Sequence, residues 1–380
     1  MKRRYGLAAY LAGAVAARVG DEMSGPALML AGFAVTGSAA AGSALLAGVM
    51  ISAVVGGPVL GLALDRVERP GWLLAGALGL YGGGLGLVLT GLGRVPFAVV
   101  LGLAVVAGVT GPAVAGGWTA QLPRVVPGGL PGRANALDAM TFGVASLAGP
   151  ALAGGVAQEA GAAGAVMAAV VLIWVAVPVA WGLPRAPAGR EVVGGGLAAG
   201  VRFVLGNPAL ARATFTSVSC CVAQGVLMAC VPLLGERVLG GAARGAVLLS
   251  CAAGAGLVAN GVPARLMVAP DAVLRLGAVV QAAGLALAAA AGRPVVLVGA
   301  ALLIGVGEGS QLTALFAVRH RESPDRLRGQ IFTAGASLKI TGFAVGAALA
   351  GPLAARSLPG ALLLAAGVAA AACARGPGRL

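Results

Sequence analysis

Residues 39–63, AAAGSALLAGVMISAVVGGPVLGLA, contain no charged side chain over 25 consecutive positions. A helix needs about 20 apolar residues to cross the hydrocarbon core of a bilayer. Similar runs recur along the whole chain and lie near 7–34, 72–92, 96–119, 134–157, 161–183, 209–235, 243–263, 272–291, 294–318, 329–354 and 358–374. The sequence therefore predicts an all-α integral membrane protein with twelve transmembrane helices.

The net charge of +14 invites a nucleic-acid interpretation, so the distribution of the basic residues matters. With a cytoplasmic N-terminus, nineteen basic residues fall on the inner side of the twelve spans. Five fall on the outer side, namely Arg94, Arg237, Arg244, Arg293 and Arg356. This asymmetry is the positive-inside bias of membrane proteins. It predicts a multi-pass protein of the cell (inner or plasma) membrane with both termini in the cytoplasm and no nucleic-acid partner.

The longest interval between spans covers residues 184–208 and divides the chain into two sets of six. We expect an N-terminal six-helix bundle over 1–183, a cytoplasmic linker with a short amphipathic helix around Arg202, and a C-terminal six-helix bundle over 209–380. The halves look alike, because Arg133 and Arg328 each open a span after a basic loop and lie 195 positions apart. Repeats of this kind predict a site at the interface between the halves.

The loop between spans two and three reads Gly61-Leu-Ala-Leu-Asp65-Arg66-Val-Glu-Arg69. It is similar to the loop motif of the major facilitator superfamily, and the resemblance extends over essentially the full chain. It implies the fold of that family, two six-helix bundles, and a cytoplasmic gate in which Asp65 pairs with Arg66, Arg69 or Arg133. An ordinary solvated loop is the alternative. The equivalent loop of the second half, 259–265, lacks the aspartate, which predicts a weaker gate there.

A second motif, Gly149-Pro150-Ala-Leu-Ala-Gly154, lies in span five. It resembles the span-five motif of the proton-coupled exporters of the family, although Ala153 stands where the family pattern has glycine. The resemblance implies export. The small residues also predict a close approach to a helix of the other half, and generic small-residue packing is the alternative.

Five charged residues lie deep inside predicted spans: Arg18, Asp21, Glu22, Glu308 and Lys339. A charge at the bilayer centre costs about 2.5–3.5 kcal/mol on insertion scales, so such residues usually face one another or a polar path. Arg18 can pair with Asp21 or Glu22 at helical spacing. Either carboxylate is a candidate proton acceptor or substrate counter-ion; a self-neutralised pair is the alternative.

Glu308 and Lys339 each lie 11 positions from a basic span end, at Arg319 and Arg328 respectively, and therefore at a similar depth. We expect them to pair, either as a switch broken by protonation or substrate, or as a static ion pair. The glycines around Glu308, in Gly305-Val-Gly-Glu-Gly309, are interpreted as giving the helix local flexibility.

No nucleotide-binding loop and no catalytic cluster occur, and we expect no cofactor and no metal site. The sequence predicts a monomeric secondary transporter in membrane lipid that uses protons and a small-molecule substrate. Its predicted activity is proton-coupled export of a lipophilic or cationic compound, such as a drug or secondary metabolite, by alternating access. Uptake of a small metabolite by proton symport, and a membrane subunit that transports nothing itself, are the alternatives.

Overall fold

The computed structural model describes residues 6–126, 131–185, 198–261 and 268–374. These residues form helices and no strands. The longer helices, labelled α1 to α12 in chain order, are Leu7–Thr36, Ala39–Arg66, Pro70–Gly91, Phe97–Gly108, Pro131–Trp181, Ala199–Gly206, Pro208–Leu239, Ala246–Asn260, Pro270–Ala289, Pro294–Glu322, Arg328–Arg356 and Leu358–Ala374. Four short turns, Gly111–Ala113, Gly116–Thr119, Leu122–Val125 and Ala242–Gly245, complete the described helical segments.

The fold predicted from the apolar runs is confirmed. Within the described residues, eight helical segments are long and apolar enough to cross a membrane, and two shorter apolar helices, Val247–Asn260 and Leu358–Ala372, accompany them. Helix α1, with 30 residues, is also long enough to cross a membrane, but it carries three of the deep charges. Helix α5 contains two predicted spans, which meet at Gly161, where φ is 74° and ψ is 169°. A backbone of this kind suits glycine and interrupts the helix.

Span four is less regular than the apolar run suggests. Helix α4 ends at Gly108, and the chain continues through the short turns Gly111–Ala113 and Gly116–Thr119. A Cβ atom at Gly108 would meet the backbone of Val49 on α2, so the two helices approach closely there. Glycine and proline break the helix, and close packing supports the irregular backbone, as membrane proteins require.

Contacts between Cα atoms divide the chain into two compact units. Unit 1 contains the described residues of Met1–Ala134, Val144–Phe203 and Ser323–Ser337. Unit 2 contains those of Asn135–Gly143, Val204–Glu322 and Leu338–Leu380. The division therefore differs from the one predicted along the sequence at two places, the first residues of span five and of span eleven. The expected six-helix bundles remain a prediction.

Each unit has its own apolar interior. Tyr10, Leu78, Trp118 and Ile173 lie fully buried in unit 1. Leu285, Ile304, Ala365 and Leu362 do so in unit 2. Small residues dominate both interiors, which suits helices that associate in lipid by close packing.

Candidate functional site

Asp21 lies on α1 in a hydrogen-bonded cluster of unit 1. Its Oδ1 accepts a hydrogen bond of 2.6 Å from the Tyr81 hydroxyl. Ser24 donates to the Asp21 carbonyl oxygen at 2.7 Å, and its Oγ lies 3.3 Å from the Tyr81 hydroxyl. Ser24 and Tyr81 are buried. The carboxylate thus accepts from one neutral hydroxyl group, that of Tyr81, which Ser24 adjoins.

Arg18 lies one turn before this cluster and is 2% exposed. Its Nη2 donates to Thr119 Oγ1 at 2.8 Å. Neither Asp21 nor Glu22 forms an ion pair with it within the described part of the chain. The local pairing expected from the helical spacing is therefore absent, because the guanidinium reaches the short turn Gly116–Thr119 instead.

The span-five motif lies against α1. A Cβ atom at Gly149 would stand 2.6 Å from Glu22 Cβ and 2.9 Å from Met23 N. Gly149 therefore lets α5 approach α1 beside Glu22, which is exposed. This contact lies within the first half of the sequence, whereas we expected an approach to the second half. Pro150 lies inside α5, and Gly154 has no neighbour within 4 Å of where its Cβ would stand.

Glu308 on α10 is the centre of a second polar cluster, in unit 2. Its Oε2 accepts a hydrogen bond from Gln224 at 3.1 Å, and its Oε1 accepts one from Gln281 at 3.2 Å. The Gln281 amide also donates to the Cys220 carbonyl oxygen at 3.2 Å. Gln311 donates to Gln281 Oε1 at 3.0 Å. Three helices, α7, α9 and α10, thus supply the polar groups around one carboxylate.

The glycines beside Glu308 serve close packing. A Cβ atom at Gly305 would meet the backbone of Ala252, and one at Gly309 would meet the backbone of Gly256. One at Gly307 would stand 2.7 Å from the backbone nitrogen of Gln281. The expected flexibility is replaced by tight contacts that hold α8 and α9 against α10.

Lys339 does not touch Glu308. No ion pair joins the two residues in the described structure, although Lys339 lies within electrostatic range of the carboxylate. Helix α10 packs on α8 and α9, and Lys339 lies on α11. Similar depth along two helices was therefore insufficient to bring the side chains together. Both carboxylate oxygens accept hydrogen bonds from amides instead.

Asp65, at the end of α2, holds the first turn of α11 within unit 1. Its Oδ1 accepts a hydrogen bond from the Gly329 N–H at 2.7 Å, and its Oδ2 accepts one from the Gln330 N–H at 2.8 Å. Asp65 is 8% exposed. A carboxylate at a helix N-terminus is stabilised by the unsatisfied N–H groups and by the helix dipole.

Two of the arginines expected to pair with Asp65, Arg69 and Arg133, lie elsewhere. The Arg69 guanidinium is placed over the Trp72 ring, 4.2 Å from its centroid. Neither Arg69 nor Arg133 forms an ion pair with Asp65 among the residues that the structure describes. Gly61 completes the contact, because a Cβ atom there would stand 2.6 Å from Gln330 Cα. Backbone N–H groups are thus partners of the motif, and the pattern of charged side chains in the sequence does not reveal them.

These features agree with a comparison to known families. The model of the Major Facilitator Superfamily matches residues 10–334. The chain belongs to the Major Facilitator Superfamily. It is a multi-pass membrane protein and a secondary transporter, as the family and the fold together show.

Individual relatives are distant. An uncharacterized MFS-type transporter, y4rN of Sinorhizobium fredii, is 26% identical over 330 residues, 84% of this chain and 78% of the relative. The human organic anion transporter MFSD10 (TETRAN) superposes with a TM-score of 0.82 at 13% identity and covers 98% of this chain and 99% of its own. The fucose:proton symporter FucP of E. coli superposes with a TM-score of 0.74 at 15% identity, with 98% of each chain covered. The structural similarities concern the fold.

Asn260 of the transporter is the counterpart of Asp65 in the second half, because 195 positions separate them, as they separate Arg133 and Arg328. Asn260 is 2% exposed, and its Nδ2 donates to the Ala139 carbonyl oxygen at 3.3 Å. Thr313 donates to the Asn260 carbonyl oxygen at 2.9 Å. An uncharged contact thus stands where the sequence predicted a weaker gate. Arg265 of the same loop lies outside the described residues.

Gln330 of the transporter also contacts the linker helix α6. Its Oε1 accepts a hydrogen bond from the Gly200 N–H at 2.9 Å, and both residues are buried. A Cβ atom at Gly200 would stand 2.6 Å from Gln330 Cβ. The same residue donates its N–H to Asp65, so α2, α6 and α11 meet at Gln330.

Proposed function

We propose that this secondary transporter exports a lipophilic or cationic small molecule in exchange for protons. It acts as a monomer in the cell membrane, with both termini in the cytoplasm. Asp21 and Glu22 in unit 1 and Glu308 in unit 2 are its candidate proton or cation acceptors. Arg18 and Lys339 are the cations that balance them.

The observation that carries this proposal is the environment of Glu308. Its two oxygens accept hydrogen bonds from the neutral amides of Gln224 and Gln281, and no ion pair within the described structure neutralises it. A carboxylate kept in a membrane span at such cost is usually functional. Because a proton or a cationic substrate can neutralise it, Glu308 can exchange one for the other.

The balance of charges deep in the spans also supports binding of a proton or a cationic substrate. In unit 1, the deep charges are the carboxylates of Asp21 and Glu22 and the guanidinium of Arg18, an excess of one negative charge. A low-dielectric site with net negative charge favours a cation or a proton over an anion. The resemblance of Gly149-Pro150 to the exporters' motif supports export, although the structure places Gly149 against α1.

For gate residues, we propose that Asp65 stabilises the state in which α2 contacts the first turn of α11. Gly61 supports this contact by its lack of a side chain. Arg66, Arg69 and Arg133 remain candidate members of the gate. Alternating access requires such contacts to break and re-form in each cycle.

Uptake by proton symport is the second candidate. Proteins named as fucose:proton and xylose:proton symporters share the fold with TM-scores of 0.74 and 0.76. Their identities to this chain are 15% and 12%, so the similarity concerns the fold alone. The direction of transport is therefore a question for experiment.

Purified transporter in vesicles with an imposed proton gradient tests coupling and direction together. The probes are tetraphenylphosphonium and ethidium, with fucose and an aromatic carboxylate as non-cationic comparisons. Proton antiport accumulates a probe in vesicles that are acidic inside, whereas symport accumulates it in vesicles that are acidic outside. Export by antiport is refuted if only the second orientation drives accumulation.

Two variants show whether Glu308 carries the coupling. Glu308→Gln is expected to abolish accumulation driven by the proton gradient while preserving exchange of labelled for unlabelled probe. Ser310→Ala is the matched control, because Ser310 bonds only to backbone carbonyls of its own helix. Full proton-driven accumulation by Glu308→Gln would exclude Glu308 as the coupling residue.

A further inference from the structure

Two of the four tryptophans of the chain stand side by side at one end of unit 1. Trp72 lies in the first turn of α3, and Trp181 is the last residue of α5. Their ring centroids are 4.7 Å apart, and their planes are inclined by 24°. Trp72 is 44% exposed and Trp181 is 54% exposed. The stacked pair therefore presents indole surface away from the protein.

A guanidinium lies over this pair. Arg69 Cζ is 4.2 Å from the centroid of the Trp72 ring. The Arg69 side chain makes no hydrogen bond or ion pair with any other described residue. A guanidinium fixed by stacking still presents a planar set of N–H donors, which matches the geometry of a phosphate.

The base of the cluster is tightly packed. A Cβ atom at Gly71 would meet the Ala180 carbonyl oxygen and would stand 2.9 Å from Leu183 Cβ. The start of α3 and the end of α5 are therefore in contact directly beneath the two indoles. The arrangement of Trp72, Arg69 and Trp181 is already formed and needs no ordering on binding, which lowers the cost of binding a ligand.

The cluster also lies at the level expected for lipid headgroups. Both tryptophans occupy helix ends that the charge pattern assigns to the cytoplasmic side, and tryptophan favours this interface. Exposed Arg66 and Arg185 lie near in sequence, with Asp65 and Glu68 as the acidic neighbours, so together with Arg69 the region has a small positive balance. The cytoplasmic leaflet carries anionic lipids that basic residues attract.

We propose that Trp72, Arg69 and Trp181 form a binding site for an anionic phospholipid of the cytoplasmic leaflet. Arg69 binds the phosphate with its N–H groups. The indoles of Trp72 and Trp181 lie against the glycerol and upper acyl region. The proposal concerns a lipid partner and is independent of the direction or the substrate of transport.

Quenching of tryptophan fluorescence by brominated lipids tests this site. Full-length transporter carrying Trp174→Phe is placed in phosphatidylcholine vesicles that contain a minor fraction of brominated phosphatidylglycerol or of brominated phosphatidylcholine. Trp118 is fully buried, so the accessible emission then comes from Trp72 and Trp181. One basic residue near an anionic surface corresponds to about a fivefold preference. We expect phosphatidylglycerol to associate about fivefold more strongly than phosphatidylcholine.

Three variants decide the interpretation. Arg69→Gln is expected to remove the preference, and Arg69→Lys is expected to retain part of it, because the charge remains while the planar donor set is lost. The double variant Trp72→Phe/Trp181→Phe keeps the 48% exposed Trp174, which lies within α5 and should show no preference. Each variant is first shown to be monodisperse in detergent.

Equal quenching by the two brominated lipids at the Trp72–Trp181 pair would overturn the proposal. A preference that survives Arg69→Gln would do so as well. The same preference at Trp174 would show general enrichment of anionic lipid around the protein and would also overturn a site at this cluster.

Discussion

Gly149 and Gly154 lie five positions apart on α5, yet only Gly149 is pressed against another helix. Both glycines belong to the same family motif, but only the first has atoms of another helix close to the position of a Cβ atom. At the residue scale, the contact of Gly149 with the backbone of Glu22 and Met23 is the feature that a side chain would disturb. At Gly154 there is room for a side chain.

Gly149→Val is therefore expected to destabilise the transporter, and Gly154→Val is its matched control. Inserting side-chain atoms into a packed contact costs about 1–3 kcal/mol. The melting temperature in detergent should fall clearly for Gly149→Val and remain close to the wild-type value for Gly154→Val. Equal losses in both variants would contradict the packing argument and favour a shared role of the motif.

Gln281 is the second residue whose role is local and testable. Gln281→Leu removes the donor to Glu308 and to the Cys220 carbonyl oxygen, and the acceptor for Gln311. Leaving a buried polar group without its partner costs about 1–3 kcal/mol. We expect a lower melting temperature and at least a severalfold loss of proton-driven transport. Gln281→Leu with wild-type transport would show that the amide network does not position Glu308.

At the element scale, the contact between α2 and α11 depends on one carboxylate and two backbone N–H groups. Hydrogen bonds to charged groups contribute about 1.5–3 kcal/mol each. Removing them in Asp65→Ala should therefore loosen the first turn of α11. A cysteine placed at Thr333, which is fully buried beside Gly61, reports this loosening.

In a background without the native cysteines, Thr333→Cys should react with a soluble maleimide at least about tenfold faster when combined with Asp65→Ala. Glu68→Gln serves as the control, since Glu68 is an exposed residue of the same loop. Unchanged labelling in Asp65→Ala would mean that the carboxylate does not hold α2 and α11 together.

The linker helix α6 provides the other element-scale prediction. Gly200→Val should displace the first turn of α6 from Gln330, because no side chain fits between them. Hydrogen exchange over 199–206 is expected to become faster, while Gly206→Ala, which meets no neighbour, should leave it unchanged. Protection equal to wild type in Gly200→Val would show that α6 is held by contacts other than this one.

The sequence predicts the membrane-spanning helices better than it predicts the contacts of the candidate site residues. Apolar run length predicts the spans, because the bilayer imposes a minimum length on every helix. The contacts of Asp65, Gly149 and Glu308 were harder to foresee. Asp65 and Gly149 contact backbone, which carries no residue-type signal, and Glu308 accepts from glutamines on separate helices. Depth along a helix predicted a Glu308–Lys339 pair wrongly, since similar depth does not determine which polar groups lie within hydrogen-bonding distance.

On the scale of the whole molecule, the separation of 195 positions relates Asp65 to Asn260 and Arg133 to Arg328. Asp65 lies at the end of α2 and contacts the start of α11, and Asn260 lies at the end of α8 and contacts Ala139 near the start of α5. The first half uses a charged group and the second a neutral one, so the duplicated contacts are unequal. Because the two contacts differ in charge, one of them can open before the other. The variant Asn260→Asp, which adds the missing charge to the second contact, tests this difference.

The orientation in the membrane is a prediction from the sequence. Six crossings in each half would return the chain to its starting side, and the positive-inside bias predicts that this side is the cytoplasm. Single cysteines at Arg94 and Arg293 should therefore react with an impermeant maleimide in intact cells. Cysteines at Glu68 and Asp325 should react only after the membrane is permeabilised. If Arg94 and Arg293 were labelled from opposite sides, the number of crossings between them would be odd, and two equivalent six-helix halves could not be built from this chain.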